Sequence, residues 1–222
     1  MRGPTAWAIV GSVVTGPDLH EEHVLDDGTP VTLRNIRPSD AAELRRGFER
    51  LSPGSRYRRF LASRNTLSDE TLRYLTCVDG HDHGAIVAIT RAADGTEVGL
   101  GIARFIRMAD DPEVAEAALT VIDDAQGKGL GRILALALAR AASAQGIARF
   151  RGEILAANEP VQQLLDEAGA VVRPSGDGSL VFDVELDPPE PQRLEHTARR
   201  LLRAAASQVL GLFRGLGGSH EP

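Results

Sequence analysis

The chain has 222 residues, of which 42% are hydrophobic and 25% are charged. These proportions are ordinary for a globular protein that can bury a core, and they exclude a fully disordered chain. The formal net charge of −6 argues against nucleic acid as the main partner, because duplex binding requires a concentrated basic face. No stretch reaches the roughly 20 apolar residues that cross a bilayer, and we expect a cytoplasmic protein.

Residue types that mark metal or redox sites are sparse. The single cysteine, Cys77, has no partner for an internal disulfide or a multi-cysteine metal site, and we expect it to be a small, buried apolar residue. His81 and His83 flank Asp82, but without a nearby third ligand we interpret them as a solvated turn. The sequence therefore predicts no metal site.

The first half of the chain predicts one strand followed by three helices. Residues 26–30 (DDGTP) form a turn-rich cluster, and the alternating segment 31–37 (VTLRNIR) that follows is typical of a strand. We therefore expect a domain that begins near Val31, with residues 1–30 as an N-terminal extension. Three helices are predicted after that strand: one that begins near Asp40, one over 55–61, and one that Ser68 opens and that runs to about Cys77.

The second half predicts strands together with two further helices. The segment 133–144 is apolar on nearly every face, as expected for a helix buried against a sheet. The predicted strands are 85–90, 97–106, 114–122, 148–154, 170–173 and 179–186, and the predicted helices are 133–144 and 158–168. The order βαααβββαβαββ describes a mixed α/β domain over 31–187, with about seven strands, a largely antiparallel front half and one parallel crossover.

The C-terminal region is predicted to be separate from that domain. Pro188 and Pro189 break the chain, and residues 192–214 then place Leu, Ala and Val on one stripe and arginines on the remaining surface. Such an amphipathic helix covers its own domain, a second subunit in a homodimer, or an anionic membrane surface, and we rank the three in that order. Residues 188–222 are interpreted as a proline-rich linker, this helix and a tail.

A glycine-rich loop, residues 126–131 (QGKGLG), joins a predicted apolar strand to the helix 133–144. Glycines allow a ligand to approach the backbone closely, and free N–H groups at a helix N-terminus favour a bound phosphate. A Walker A loop would require Ser or Thr after Lys128, where Gly129 stands. A Rossmann fingerprint would require glycine where Arg132 stands. The loop therefore predicts anion binding of another kind.

The same loop carries a resemblance to a known family. After the strand end at residues 121–124 (VIDD), the letters QGKGLG resemble the cofactor signature of GNAT (Gcn5-related) N-acetyltransferases, usually written Q/R-x-x-G-x-G/A. The predicted order of elements also matches that fold, and the resemblance covers residues 31 to about 187. Residues 115–116 (AE), 149–150 (RF) and 51–60 (LSPGSRYRRF) further resemble the catalytic domain of bacterial protein lysine acetyltransferases.

The resemblance implies an acetyl-CoA-dependent N-acetyltransferase. In the family, backbone groups on the strand before the loop hold the thioester and the pantetheine arm, which here implicates Leu119 and Val121. The next helix start contacts the cofactor arm, which implicates Asn158, and a helix N-cap role for Asn158 is compatible with that contact. The residues implied around the pyrophosphate are Gln126, Gly127, Lys128, Gly129, Leu130, Gly131 and Arg132.

Acetyl transfer to an amine requires a base, because a free lysine has a pKa of about 10.4 and is protonated at neutral pH. We predict Glu116 as that base, since it lies inside an apolar strand on the face shared with Ala118 and Thr120. Burial on that face would make the carboxylate a better proton acceptor, and lysine acetyltransferases of this type use a glutamate at the matching position. The alternatives are Glu113 as the base, or an ion pair between Glu116 and an arginine such as Arg104.

One position departs from the family pattern. Many GNAT enzymes have a tyrosine, which protonates the leaving thiolate, where this chain has Leu165. Either water supplies that proton, or the protein is a weak or altered catalyst. Leu165 is also the main argument for a second interpretation, a non-catalytic acyl-CoA-binding sensor. We place the enzyme first and expect direct attack by a primary amine, with lysine side chains of proteins slightly ahead of small amines.

Overall fold

A computed structural model of the chain describes residues 19–60, 66–176 and 178–186. The strands are β1 (His20–Val24), β2 (Pro30–Asn35), β3 (His83–Arg91), β4 (Glu97–Arg107), β5 (Val114–Val121), β6 (Arg149–Leu155), β7 (Val171–Gly176) and β8 (Ser179–Glu185). The α-helices are α1 (Ala41–Glu49), α2 (Pro53–Phe60), α3 (Asp69–Thr76), α4 (Leu130–Ala144) and α5 (Glu159–Glu167).

The predicted helices and strands between residues 31 and 187 are all present, with ends that differ from the prediction by a few residues. Their ends follow the expected capping chemistry. At the start of α3, Ser68 Oγ accepts a hydrogen bond from the Thr71 N–H at 3.1 Å. After α5, Gly169 has a left-handed φ of 68°, and the Ala170 N–H donates to Leu165 O at 2.9 Å.

The sheet contains one strand more than the sequence predicted. β1 lies inside the segment assigned to an N-terminal extension and pairs antiparallel with β2, from His20 opposite Arg34 to Val24 opposite Pro30. The sheet therefore has eight strands and begins before Val31. The sequence of β1 is HEEHV, which has no alternation of apolar residues. Charged residues of this kind are common on edge strands because they discourage association between sheet edges.

The strand order is β1-β2-β3-β4-β5-β6-β8-β7. All neighbouring strands are antiparallel except β5 and β6. Because parallel neighbours need a crossover connection, the chain passes through α4 between them. The predicted antiparallel front half and single parallel crossover are confirmed. This topology places the start of α4 shortly after the end of β5.

α4 covers one face of the sheet. Its Leu130, Leu134 and Leu138 are at most 3% exposed, and they share one hydrophobic cluster with side chains from β2 to β5. Burial of one such leucine contributes about 1.5 to 3 kcal/mol. Alternation along the strands directs the intervening side chains, such as Ile102 and Thr120, to the opposite face, where they line a cavity together with residues of α1 and α3.

Two further expectations from the sequence concern Cys77 and the C-terminal segment. The expectation that Cys77 is buried is wrong, because Cys77 is exposed at the C-cap of α3, where that helix ends at the surface. The predicted amphipathic helix 192–214, with the rest of 188–222, lies outside the described residues. Among the residues that are described, no helix is long and apolar enough to cross a membrane.

Candidate active site

β5 and β6 are paired over a short distance and then separate. The paired residues are Val114 with Arg149, Ala115 with Phe150, and Glu116 with Arg151. From residue 117 to 121, β5 remains paired with β4 on one side, but within the described part of the chain it has no partner strand on the other side. We call this unpaired edge of β5 the strand opening, and it begins directly after Glu116.

The register of β4 and β5 decides which backbone groups face the strand opening. Met108 N–H donates to Val114 O at 2.9 Å, and Ile122 N–H donates to Leu100 O at 3.0 Å. In an antiparallel pair, residues alternate between bonding to the partner strand and pointing away from it. The even-numbered residues of β5 therefore bond to β4. The residues whose N–H and C=O groups face the strand opening are Ala117, Leu119 and Val121.

α4 begins with N–H groups that the helix itself does not use. Gly129 is its N-cap and has a φ of 82°, a left-handed conformation that favours glycine. The first hydrogen bond along the helix runs from Ile133 N–H to Gly129 O at 3.3 Å. The N–H groups that precede this ladder are those of Leu130, Gly131 and Arg132. Together with the helix dipole, equivalent to about half a positive charge, they favour a bound anion.

Gln126 uses its donors inside the loop. Its side-chain Nε2 donates to Val121 O and to Asp123 Oδ1, both at 3.0 Å, and its main-chain N–H donates to Asp123 O at 3.2 Å. The sequence predicted Gln126 beside the pyrophosphate. In the folded chain these hydrogen bonds join the turn between β5 and the glycines.

Lys128 in the loop and Arg132 in the first turn of α4 are both paired with carboxylates. Lys128 Nζ lies 2.9 Å from Asp27 Oδ2, and Arg132 Nε lies 3.5 Å from Glu167 Oε2 at the end of α5. Both residues were predicted to surround the pyrophosphate. Backbone N–H groups are thus the donors at the start of α4 that are free of such pairing.

Asp123 is a residue whose role sequence reasoning missed. Its Oδ2 accepts from Ser52 N–H at 2.9 Å, and its Oδ1 accepts from Ser55 Oγ at 2.6 Å as well as from Gln126. This carboxylate therefore ties the start of α2 to the end of β5 and to the glycine loop. The neighbouring Asp124 is exposed, and it makes a 3.6 Å ion pair with Arg50. The acidic pair at the strand end was visible in the sequence, but its partners were not.

Glu116 lies at the junction between the paired and unpaired parts of β5. It is the last residue of β5 that pairs with β6. The expectation that it is buried is wrong, because the residue is exposed. Alternation did predict its face, but the helices that cover Thr120 do not extend over Glu116. The alternative base, Glu113, is also exposed, and its backbone carbonyl accepts from Arg149 N–H.

Arg104 forms no ion pair with Glu116 among the described residues. It is 4% exposed, and it contacts His83 Nε2 at 2.6 Å and Leu75 O at 2.8 Å. Burial of His83, together with the nearby Arg104 guanidinium, lowers the pKa of His83 to about 4. His83 is therefore neutral at physiological pH. Its ring also lies 5.0 Å from that of Tyr74, measured between centroids.

The other residues of the predicted His-Asp-His segment are exposed, and His81 Nδ1 lies 2.8 Å from Asp82 Oδ1. Within the described ranges, no group of three or more His, Cys, Asp or Glu side chains could hold a metal ion. His81 thus lies in an exposed turn, whereas His83 opens β3 and is partly buried.

Asn158 and Leu165 lie on the β6 side of the strand opening. Asn158 is the N-cap residue of α5, and its N–H donates to Leu155 O, at the end of β6, at 2.9 Å. Its side chain makes no capping bond to α5 among the described residues. Leu165 is 6% exposed and packs with Ile154 and Phe182. An apolar residue therefore fills the position where many family members have tyrosine.

A cavity of about 380 Å³ lies on the face of the sheet opposite α4. Its walls are mostly apolar and include two buried arginines, Arg34 and Arg104. Arg34 donates to Asp40 at 2.8 and 2.9 Å and to Glu97 at 2.8 Å. The hydrogen bond to Asp40 raises the pKa of Arg34 above its usual value. Along β5 the cavity reaches Thr120. On β4 it reaches Arg104, which is opposite Ala118, and Glu116 is not among the residues that line it.

An open strand edge that leads to a helix start with free N–H groups is typical of proteins that bind an extended anionic ligand. The family model of the acetyltransferase (GNAT) domain matches residues 31–171. The chain therefore belongs to the GNAT acetyltransferase family.

Two relatives and one solved structure illustrate what the chain is similar to. The acetyltransferase Pat of Mycolicibacterium smegmatis is 32% identical over 178 residues, which are 80% of this chain and 52% of that protein. This chain thus spans about half of the length of that relative. The acetyltransferase PA5475 of Pseudomonas aeruginosa is 32% identical over 160 residues, 72% of this chain and 85% of that protein. The GNAT domain of S. lividans PAT superposes with a TM-score of 0.68 at 29% identity, covering 76% of this chain and 97% of that domain.

Proposed function

We propose that the chain transfers an acetyl group from acetyl-CoA to a primary amine. The observation that carries this proposal is the continuity of two sets of backbone groups. The unpaired edge of β5 leads directly through the glycine loop to the start of α4. A Cβ added at Gly131 would lie 3.9 Å from Leu119 Cδ2, so the helix start packs against the unpaired part of the strand.

The residues fit an acetyl-CoA molecule that extends along this path. The N–H and C=O groups of Leu119 and Val121 would hold the amide-rich pantetheine arm, as an added strand holds to a sheet edge. One exception is Val121 O, which accepts from Gln126. The N–H groups of Leu130, Gly131 and Arg132 would hold the diphosphate. Asn158, at the opposite side of the opening, would contact the arm through its side-chain amide.

Glu116 would act as the base at the junction of β5 and β6. The carboxylate takes a proton from the ammonium form of the acceptor, directly or through one water. The neutral amine nitrogen then forms a bond to the thioester carbonyl carbon and gives up its second proton to water, the carbon–sulfur bond breaks, and the thiolate leaves. Because Leu165 cannot donate a proton, water is the proton source for the leaving sulfur.

Protein lysine is our first choice of acceptor, ahead of small amines. The exposure of Glu116 supports this order, since a lysine on a protein surface can approach a base that is open to solvent. The cavity beside Arg34 does not reach Glu116, so it offers no enclosed site for a small amine at this base. The resemblance of residues 115–116 and 149–150 to bacterial lysine acetyltransferases supports the same order.

The second candidate function is a non-catalytic acyl-CoA sensor. It is favoured by Leu165, which packs in an apolar cluster where a proton donor is common in the family. A sensor would keep the strand opening and the loop but would have no need of a base. The two functions therefore differ in what they require of Glu116.

The test is Glu116→Gln, assayed by release of free thiol with a panel of lysine peptides and small amines. We expect kcat to fall by about 100-fold or more, since positioned bases contribute 10²- to 10⁴-fold, while calorimetry gives coenzyme A affinity within about twofold of wild type. Glu113→Gln is the matched control and should retain the wild-type rate. If Glu116→Gln retains the rate, Glu116 is not the base. If the wild type binds coenzyme A and acetylates no amine, the sensor is correct.

A further inference from the structure

Two turns of the chain have the same sequence and the same hydrogen bonds. Asp27-Gly28-Thr29 connects β1 to β2, and Asp94-Gly95-Thr96 connects β3 to β4. In the first turn Thr29 N–H donates to Asp27 Oδ1 at 3.0 Å, and in the second Thr96 N–H donates to Asp94 Oδ1 at 2.9 Å. In each turn the glycine N–H also donates a hydrogen bond to the carbonyl oxygen of the residue three positions earlier. They are matched in local structure.

The first turn is docked on the glycine loop. Asp27 Oδ2 lies 2.9 Å from Lys128 Nζ, and Asp26 N–H donates to Lys128 O at 3.3 Å. Leu25, at the base of the turn, is 4% exposed in the main hydrophobic cluster and anchors it. No contact of the second turn with the loop is found among the described residues. The same local structure thus has a different neighbour in each case.

Docking brings negative charge to the proposed diphosphate site. The hydrogen bond from Lys128 lowers the pKa of Asp27 to about 2, helped by hydrogen bonds from Thr29, so Asp27 is ionised at physiological pH. A Cβ added at Gly129, the N-cap of α4, would lie 3.1 Å from Asp26 Oδ2. The first turn of α4 itself contains no acidic residue. The β1–β2 turn therefore supplies two carboxylates, Asp26 and Asp27, near this helix start.

We propose that Asp27 is a positioning residue that holds the Lys128 ammonium away from the diphosphate of coenzyme A and thereby lowers the affinity for that ligand. This inference rests on the proposed function. A diphosphate that binds the Lys128 ammonium must displace Asp27 or share the ammonium with it, whereas the N–H groups of Leu130, Gly131 and Arg132 precede the hydrogen-bond ladder of α4. The loop lysine, which sequence alone assigns to the phosphate, thus contributes less than its position suggests.

The first test compares coenzyme A binding by the wild type, Asp27→Asn and Asp94→Asn, measured by isothermal titration calorimetry. Asparagine keeps the side-chain oxygen that accepts from the threonine N–H, so either turn can retain its shape. We expect Asp27→Asn to bind coenzyme A about 3- to 5-fold more tightly, the upper part of the range of about 1.4- to 5-fold that an exposed ion pair contributes. Asp94→Asn should bind as the wild type does. Equal or weaker binding by Asp27→Asn, with an unchanged melting temperature, would overturn the inference.

The second test asks whether Asp27 acts through Lys128 or through its charge alone. Lys128→Gln is combined with Asp27→Asn in a double-mutant cycle. If Asp27 acts by holding Lys128, the gain from Asp27→Asn shrinks to less than about twofold once Lys128 is replaced. An equal gain in both backgrounds would overturn the inference and assign the effect to charge. Failure of the wild type to bind coenzyme A would overturn the proposed function together with this inference, whereas binding without the gain would overturn only the inference.

Discussion

The two parts of β5 have different neighbours, although they belong to one continuous apolar strand. Its first part, Val114–Glu116, pairs with β6, and Ala115 and Glu116 also pair with β4. Within the described part of the chain, its second part, residues 117–121, pairs with β4 alone. The first part is therefore held by the sheet, and the backbone of the second is the binding edge that we propose. The proposed edge arises because strand pairing ends, so its side chains need no special chemistry. Three substitutions test this contrast.

The largest effect is expected at Gly152, where β6 begins to leave β5. A Cβ at this position would lie 2.6 Å from Phe182 Cζ and 3.2 Å from Ala117 O. Gly152→Ala should therefore lower the free energy of unfolding by about 3 kcal/mol, as overpacking does in tight cores. Urea unfolding measures the change.

Gly47→Ala is the matched control for Gly152→Ala, because a Cβ at Gly47 would meet no atom within 4 Å. Alanine is favoured over glycine inside a helix such as α1 by about 0.5 to 1 kcal/mol, so this variant should be slightly more stable than wild type. If both variants behave alike, the junction is not tightly packed and the contrast between the two parts of β5 loses its structural basis.

A smaller effect is expected at Asp123, which follows the unpaired part of β5. Asp123→Asn replaces one acceptor oxygen by an NH₂ group that faces donors from Ser52 or from Ser55 and Gln126. A buried donor without a partner costs about 1 to 3 kcal/mol, and we expect a loss of about 2 kcal/mol in urea unfolding, with weaker coenzyme A binding. Asp124→Asn, on the exposed neighbour, should change stability by less than about 0.5 kcal/mol. Equal effects would show that Asp123 does not fix the loop.

The smallest effect concerns His83, which lies in the same row across the sheet as Glu116, with Ile106 between them. Burial, together with the Arg104 charge, lowers the pKa of His83 from 6.5 to about 4. Between these values the unfolded chain binds a proton that the folded chain does not, so stability falls as the pH falls from 6.5 to 4. The shift corresponds to at most about 3 kcal/mol, which partial exposure reduces to about 1 kcal/mol.

His83→Gln isolates this contribution, because a glutamine oxygen can still accept a hydrogen bond from Arg104. Urea unfolding at pH 7.5 and pH 5 should show that the wild type loses about 1 kcal/mol more than the variant. The same pH dependence in both proteins would contradict the assignment of a neutral, buried His83 to this row.

The order of helices and strands was predictable because neighbouring residues in the sequence mark where most of them begin and end. Ser68 opens a helix, Gly169 ends one, and the apolar run of α4 identifies a buried helix. β1 was missed because HEEHV has neither apolar alternation nor strand formers in most positions. It becomes a strand only because the edge of β2 is available for pairing, and that edge cannot be read from the five residues themselves.

The parts of the candidate site that consist of backbone groups could be predicted from the sequence. The surroundings of its side chains were harder to predict. The loop and the strand before it follow from glycine positions and strand alternation. The exposure of Glu116 depends on where the covering helices end, which alternation does not report. The partner of Lys128 is about 100 residues earlier in the chain, and nothing local indicates that pairing. The side-chain amide of Gln126 donates to Val121 O, a carbonyl that has no partner strand within the described residues, and the sequence does not indicate this bond.

The most direct test of the central claim is titration of the ¹⁵N-labelled chain with coenzyme A, followed by amide NMR. If the ligand occupies the unpaired edge of β5 and the start of α4, the largest shifts should come from the N–H groups of Leu119, Val121 and residues 127–132, while those of β7 stay unchanged. Saturable binding that leaves Leu119, Val121 and residues 127–132 unperturbed would contradict the account.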